Sequence, residues 1–263
     1  MKAKPWSSPK TTERALALLE GLDWSHAKVA DVGAGRGWFS RVLSERLRET
    51  KGLDPREHVF PCDAAPESFE VEELECVRTG PGGRLPFEDA SVDAAVSLEV
   101  IEHVEDQLGF LKEIARIVKP GGLVVVSTPN VLSLTSRVRT LLWGFPELYD
   151  PLPLEGGDPR CLSGHIHPIS PYFLAHAALR AGLVDPNLHS DRTKRSSALF
   201  AILLAPALFL AQISHRSRLA RKHPDVLVAN RRLIAEQSGW KMLTSRTAIL
   251  SARTRNSGNG ARR

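Results

Sequence analysis

Apolar residues fall along this chain in two alternating rhythms: short unbroken runs, and stretches spaced three and four apart. Residues 28–32 (Lys-Val-Ala-Asp-Val) form a short apolar run that ends in a glycine turn, Gly33-Ala34-Gly35-Arg36-Gly37. Phe39, Val42, Leu43 and Leu47 follow on one face of a helix. Strand, glycine turn and helix together open a βαβ unit. Residues 92–98 and 123–127 read as further buried strands. Between them, Leu108, Leu111, Ile114, Ala115 and Val118 line a helix stopped by Pro120-Gly121-Gly122. Val59-Phe60-Pro61-Cys62 is shorter, and Pro61 suits an edge or irregular strand. Continuous apolar strands alternating with helices predict an α/β fold, a mostly parallel sheet covered on both faces. Right-handed crossovers then gather the strand C-termini, and the ligand crevice, along one edge.

Five segments follow from this pattern. Residues 1–27 form an N-terminal helical cap, with Ser8 and Pro9 opening a helix over 10–21. Residues 28–130 form the core. Residues 131–170, mixing Arg, Pro and Gly, read as a lid or substrate insertion. Residues 171–253 complete the fold with a helix over 172–182, an apolar helix over 198–213 and a late strand within 240–252. The tail, 254–263, is expected to be disordered.

A composition of 42% apolar and 25% charged residues is that of a globular protein, not of a fibrous or low-complexity one. The net charge of +5 hides a division: residues 1–191 carry 20 Lys/Arg against 28 Asp/Glu, whereas 192–263 carry 15 against two. The C-terminal part is thus expected either to meet an anionic surface, lipid or nucleic acid, or to present a solvated basic face. The N-terminus lacks the apolar core of a secretory signal. Cys62, Cys76 and Cys161 show neither an even count nor Cys-x-x-Cys spacing, so they read as reduced thiols of a cytoplasmic protein.

Glycines at 33, 35 and 37 let backbone approach a ligand, and the following helix offers free N–H groups. A dinucleotide fingerprint wants a small residue three places after its second glycine, where this chain has Trp38. No Lys-Ser/Thr pair follows, which excludes a P-loop. An acidic residue after the second strand would take the hydroxyls of a ribose; Asp63 fits, and Asp54 is the alternative.

These residues belong to an ordered set of motifs. The stretches 29–37 (Val-Ala-Asp-Val-Gly-Ala-Gly-Arg-Gly), 85–93 (Leu-Pro-Phe-Glu-Asp-Ala-Ser-Val-Asp), 97–104 (Ser-Leu-Glu-Val-Ile-Glu-His-Val) and 110–122, which ends in Lys-Pro-Gly-Gly, resemble class I S-adenosylmethionine-dependent methyltransferases of the small stand-alone kind. The resemblance implies a Rossmann-like seven-stranded sheet whose last strand is antiparallel. It also implies S-adenosylmethionine bound by Gly33, Gly35 and Gly37, with Asp31 bracing the turn and Asp63 on the ribose. Glu99 is counted with the cofactor-binding residues. The family carries an acidic or amide residue beside the adenine, a few places before the Leu-Pro-Phe; here that position is Pro81.

Transfer of a methyl group from a sulfonium is an in-line displacement, and a general base matters when the acceptor must lose a proton. Glu102 and His103 follow the fourth strand, where acceptor and methyl group should meet, and they are the candidate catalytic residues, His103 as base. Glu99-x-x-Glu102-His103 also resembles the metal-binding motif of small-RNA 2′-O-methyltransferases and of some ubiquinone-pathway O-methyltransferases, to which His165 or His167 could add. No metal ligand is assigned on that basis. The run 198–213 falls short of the roughly 20 residues that span a bilayer. With Lys194, Arg195, Arg216, Arg218, Arg221 and Lys222 around it, it suits an interfacial anchor on anionic lipid, a buried helix or a homodimer contact.

The expected activity is S-adenosylmethionine-dependent methylation of a hydroxyl on a small molecule, a lipid-linked intermediate or a glycan. Its setting is the cytoplasm or the inner face of a membrane. A metal-dependent nucleic-acid O-methyltransferase, or a non-catalytic domain that binds S-adenosylmethionine and serves as a membrane adaptor, are the alternatives.

Overall fold

A computed structural model describes residues 8–153 and 164–256. Parts of the expected cap (1–7), lid (154–163, with Cys161) and tail (257–263) lie outside the described residues. The strands β1 (Val29–Val32), β2 (Val59–Asp63), β3 (Val77–Arg78), β4 (Val92–Leu98), β5 (Val118–Pro129), β6 (Val184–Ser190) and β7 (Thr247–Arg253) form one sheet. Their order is β3-β2-β1-β4-β5-β7-β6. The pairs from β3 across to β5 are parallel, and β7 runs antiparallel to both β5 and β6. The α/β, mostly parallel, Rossmann-like architecture read from the sequence is the one found. Chain direction across the sheet reverses between β1 and β4, which opens a crevice at their C-terminal ends.

Alternate residues of each strand feed opposite faces, which is why the strands read as unbroken apolar runs. Ala30, Val32, Val124 and Val126 pack against Leu111, Ile114 and Ile117 of α3 (Gln107–Ile117) and Leu174 of α5 (Pro171–Arg180). Val29, Val96 and Val125 pack on the other face against Leu16 and Leu19 of α1 (Pro9–Leu19) and Phe39 and Leu43 of α2 (Trp38–Arg46). Pro61 is accommodated because β3 pairs only with Cys62 and Asp63, so no ladder on that side needs its N–H.

Five details differ from the sequence pattern. The helix α3 stops at Ile117, ahead of Pro120, and Val118 already pairs with Val92; residues 119–122 bulge before the ladder resumes at Leu123. An unread strand, β6, adds to the edge. The apolar run 198–213 is two helices, α6 (Arg195–Leu203) and α7 (Ala205–Lys222), because Pro206 fits only the first turn of a new helix. Residues 240–252 divide into a short helix, α10 (Trp240–Thr244), and β7. Between these lie α8 (Pro224–Ala229) and α9 (Arg231–Gln237), and earlier α4 (Leu134–Trp143) follows β5. The start of the expected disordered tail is ordered: Thr254 is buried and donates its N–H to Gly122 O.

Candidate active site

The glycine turn sits where β1 ends. Gly33, Gly35 and Gly37 have φ of 76°, 52° and 82°, the left-handed region that side chains avoid. The N–H groups of Gly33 and Ala34 donate to Cys62 O, which ties the turn to β2. Asp63, the last residue of β2, accepts from Gly35 N and from Ala65 N, each at 2.8 Å, one on each carboxylate oxygen. Each oxygen keeps a second lone pair, so this carboxylate can brace the turn and still accept ribose hydroxyls. Asp31 lies beneath, buried, accepting from Ser40 Oγ at 2.6 Å and so locking the turn to α2. Burial pushes its carboxyl up to about 7, with the nearby Asp63 adding to the rise and Ser40 opposing it.

Two of the glycines are required by the protein itself. A Cβ on Gly33 would stand 2.5 Å from Val100 Cγ2, and one on Gly37 2.6 Å from Val71 Cγ2 and 2.7 Å from Phe69 Cε2. The Phe69–Val71 stretch is held over the turn by an ion pair between Arg36 and Glu70. The helix α2 begins at Trp38 with no side-chain cap, leaving backbone N–H groups at the crevice. Left-handed cradle, open helix start and acidic strand end suit a nucleoside-bearing ligand without a pyrophosphate. Pro81 opens a tight exposed 3₁₀ turn, Pro81–Gly83, and brings no side-chain acceptor for an adenine.

Past β4 the chain turns sharply. Glu99 has φ of 59°, a conformation that costs a non-glycine residue about 1–3 kcal/mol and clusters at functional sites. Its N–H donates to Ser127, and its carboxylate accepts from Thr247 Oγ1 at 3.1 Å. Neighbouring Val100 is the residue against Gly33. The Glu99 carboxylate therefore reaches over β5 toward β7, at the C-terminal end of β4. Its pKa is raised, chiefly by burial.

Glu102 is fully buried in the 3₁₀ turn Ile101–His103, and neither carboxylate oxygen makes a hydrogen bond. Thr128 Oγ1 and the Tyr149 hydroxyl are buried with it. Burial, with the nearby Glu99 adding to it, pushes the Glu102 carboxyl well above the usual carboxylate range, and burial raises Tyr149 as well. Thr128 is near enough to Glu102 and Tyr149 to oppose the rise of both. His103 and His165 complete the cluster, their rings 4.8 Å apart, with Tyr149 5.3 Å from His165. His103 donates Nδ1–H to Gly164 O at 2.9 Å, and His165 donates Nδ1–H to Leu148 O at 2.5 Å. A carbonyl can only accept, so both rings carry the proton on Nδ1 and offer a free Nε2 lone pair. The segment bearing His165 is pinned by Ile166 N and His167 N, which both donate to Glu102 O.

Ligand atoms of Glu102, His103 and His165 all lie within 4.8 Å of one another, a spacing that could hold a metal ion. Carbonyl acceptors behind both imidazoles are the usual outer support of such ligands. His167 is exposed, bonded to Val104 O and outside the cluster. Among the predicted residues, the structure brings Asp31, Gly33, Gly35, Gly37 and Asp63 together at β1 and β2, and Glu102 and His103 at β4. Tyr149 and Thr128 were not read from the sequence. Tyr149 comes from the insertion, and Thr128 differs from any β5 residue only by its place beside Pro129.

Residues 30–126 match the family model described as a methyltransferase domain. A probable S-adenosylmethionine-dependent methyltransferase of Mycolicibacterium smegmatis is 35% identical over 107 residues, 41% of this chain and 40% of that protein. A ubiquinone biosynthesis O-methyltransferase of Idiomarina loihiensis is 33% identical over 133 residues, 44% of this chain and 50% of that protein. The matched stretch thus spans half or less of each relative's own length. The crystal structure of a SAM-dependent methyltransferase from Thermotoga maritima superposes with a TM-score of 0.54 at 15% identity, covering 94% of this chain and 88% of that one; it shares the fold.

Proposed function

We propose that residues 30–126, which match a methyltransferase-domain model, form a class I S-adenosylmethionine-dependent methyltransferase domain, and that the chain methylates a hydroxyl oxygen. One observation carries the reading. The glycine cradle with Asp63 and the buried polar cluster of Glu102, His103, His165 and Tyr149 open on the same edge of the sheet, on either side of the β1–β4 crevice.

The residues present fit the cofactor. Gly33, Gly35 and Gly37 would hold its amino-acid end close to backbone, and Asp63 would take the ribose hydroxyls. S-adenosylmethionine supplies an electrophilic methyl group on a sulfonium. On the protein side, His103 Nε2 takes the proton the acceptor oxygen loses as its bond to carbon forms. The Gly164 carbonyl stabilises the resulting imidazolium through Nδ1–H. The Tyr149 hydroxyl is a donor that orients the acceptor, beside a Glu102 carboxyl whose burial favours its neutral form, and the residues around Tyr149 and His165 exclude water. The acceptors this suits are hydroxyls of small molecules, lipid-linked intermediates or glycans. The reading takes the cytoplasm as the compartment.

A divalent cation on Glu102, His103 and His165, polarising the acceptor hydroxyl, is a second reading favoured by the spacing of those three ligands. It is the form in which a nucleic-acid acceptor would be handled. The test of the first reading is transfer of label from methyl-tritiated cofactor into a panel of hydroxyl-bearing and amine-bearing acceptors. Label in a base-stable ether, lost in His103→Ala, supports oxygen as the acceptor. Label only on nitrogen overturns it.

A further inference from the structure

The helix α7 is 18 residues long, and none of its residues is buried. Together with α6 it makes an elbow bent by 73° at Leu204. Ile202, Leu203, Phe209 and Leu210 at this elbow are each 64–66% exposed. Leu199 and Ile213 continue the apolar surface on either side. Folded chains rarely leave that much contiguous hydrocarbon in water without a partner.

The charge along the elbow's own sequence is of one sign, although Lys194 pairs with Glu147 and Arg192 lies beside Asp191. Arg192, Lys194 and Arg195 precede it, Arg216, Arg218, Arg221 and Lys222 follow it, and no Asp or Glu occurs from 192 to 224. The position of the elbow in the fold is equally specific. β6 runs in the same direction as β5, since both are antiparallel to β7. Hence α4, which follows β5, and α6, which follows β6, both leave the sheet at the edge that carries the glycine turn. The two helices are joined where they start, through Thr135 Oγ1 bonded to Ser196 Oγ and Ser197 Oγ. At its far end α4 exposes Leu141, Leu142 and Trp143.

We propose that the α6–α7 elbow docks on an anionic lipid bilayer, with Ile202, Leu203, Phe209 and Leu210 inserted among the acyl chains and the flanking arginines and lysines on the headgroups. Among the described residues no single helix is long and apolar enough to cross a membrane, and the 73° bend suits a segment lying in the interface. A second copy of the chain is a poorer occupant. Pairing two such faces brings like charges together with no carboxylate between 192 and 224 to neutralise them. A nucleic acid would engage the cations but leave the hydrocarbon of the elbow in water. This surface is argued from exposure and charge alone and stands whether or not the chain transfers a methyl group.

The test is co-sedimentation of the full chain with vesicles of phosphatidylcholine alone and of phosphatidylcholine mixed equally with phosphatidylglycerol. The expected result is binding to the mixed vesicles, weakened by salt, and little to the neutral ones. Leu203→Ser/Phe209→Ser should lower the partition coefficient about tenfold or more, and Arg216→Ala/Arg218→Ala/Arg221→Ala should abolish the preference for the anionic lipid. All substituted side chains are solvent-facing, and unchanged melting curves would show that the variants are folded. Equal sedimentation of Leu203→Ser/Phe209→Ser and the unsubstituted chain would overturn the proposal. So would a stable dimer in solution that the same double variant converts to monomer. Binding to a duplex oligonucleotide without binding to either vesicle would overturn it too.

Discussion

His103 donates its Nδ1–H to the carbonyl oxygen of Gly164 at 2.9 Å, joining the turn after β4 to a segment 61 residues further along the chain. That one bond fixes the tautomer of the ring and leaves Nε2 as the acceptor of a proton. Replacing His103 by Ala should lower kcat by about 10²-fold or more while leaving the cofactor dissociation constant unchanged. Single-turnover kinetics beside equilibrium titration would separate the two effects. A variant that loses both together would make His103 a structural residue.

The second reading of the cluster gives a separate expectation. If a divalent cation sits on Glu102, His103 and His165, chelation should abolish activity and added metal restore it, and Glu102→Gln and His165→Ala should each weaken metal binding by about 10–100-fold. If the cluster acts as donors and base alone, activity should survive chelation. Metal content of the purified chain, together with the same titration on both variants, decides it.

Gly33 and Gly37 should resist substitution for reasons independent of any ligand. Gly33→Ala combines a left-handed φ with a Cβ 2.5 Å from Val100, and should cost about 1–3 kcal/mol in denaturant unfolding. Adding Val100→Ala relieves the clash but not the dihedral, so the double variant should be more stable than the two single costs predict. Strict additivity would mean the turn shifts to absorb the methyl group.

Buried Asp31 and half-buried His189 should make stability depend on pH in opposite directions. The Asp31 carboxyl is raised from 3.8 to about 7, so the folded chain keeps a proton that the unfolded chain releases. Its contribution is full below the lower value and is lost as pH rises through the upper one. His189 is lowered from 6.5 to about 4, by burial first and then by Arg14 and Lys241. Its Nδ1 accepts from Arg14 at 3.2 Å and its Nε2–H donates to Ser251 Oγ at 2.8 Å, a neutral ring. That contribution is full above 6.5 and is lost as pH falls toward 4. Measured against the unsubstituted chain by melting at several pH values, Asp31→Asn should gain relative stability as pH rises from about 4 to 7. His189→Gln should lose relative stability as pH rises from about 4 to 6.5. Parallel curves would show that neither group changes its proton binding on folding.

How far the sequence disclosed these features follows from the range of the forces involved. β1, the glycine turn and α2 are legible because the apolar run, the glycines and the helical spacing all lie within 20 residues. β6 is not, since Asp185, Pro186, Asn187 and His189 interrupt it, only Pro186 is buried, and Asp185 takes a left-handed φ of 51°. Its strand form is imposed by pairing with β7. The break at Leu204 was marked by Pro206, whose signal the surrounding leucines concealed. In the site, Glu102 and His103 are legible from their place after a strand. Thr128 joins them through the pairing of β4 with β5, and His165 was already a candidate; Tyr149 joins only because its segment returns to Thr128 and His165, a contact that no local pattern records. The partner of the Glu99 carboxylate was illegible for the same reason, since Thr247 is 148 residues away.

The central claim is that the edge formed by Gly33, Gly35, Gly37 and Asp63 binds S-adenosylmethionine, and calorimetric titration of the full chain with that cofactor tests it most directly. The account predicts saturable binding at one site, weakened about tenfold or more in a folded Asp63→Asn variant, which keeps an oxygen for only one of the two backbone N–H groups and loses the charge that holds ribose hydroxyls. Absence of heat and of any competing ligand displacement from a folded, unsubstituted preparation would contradict it.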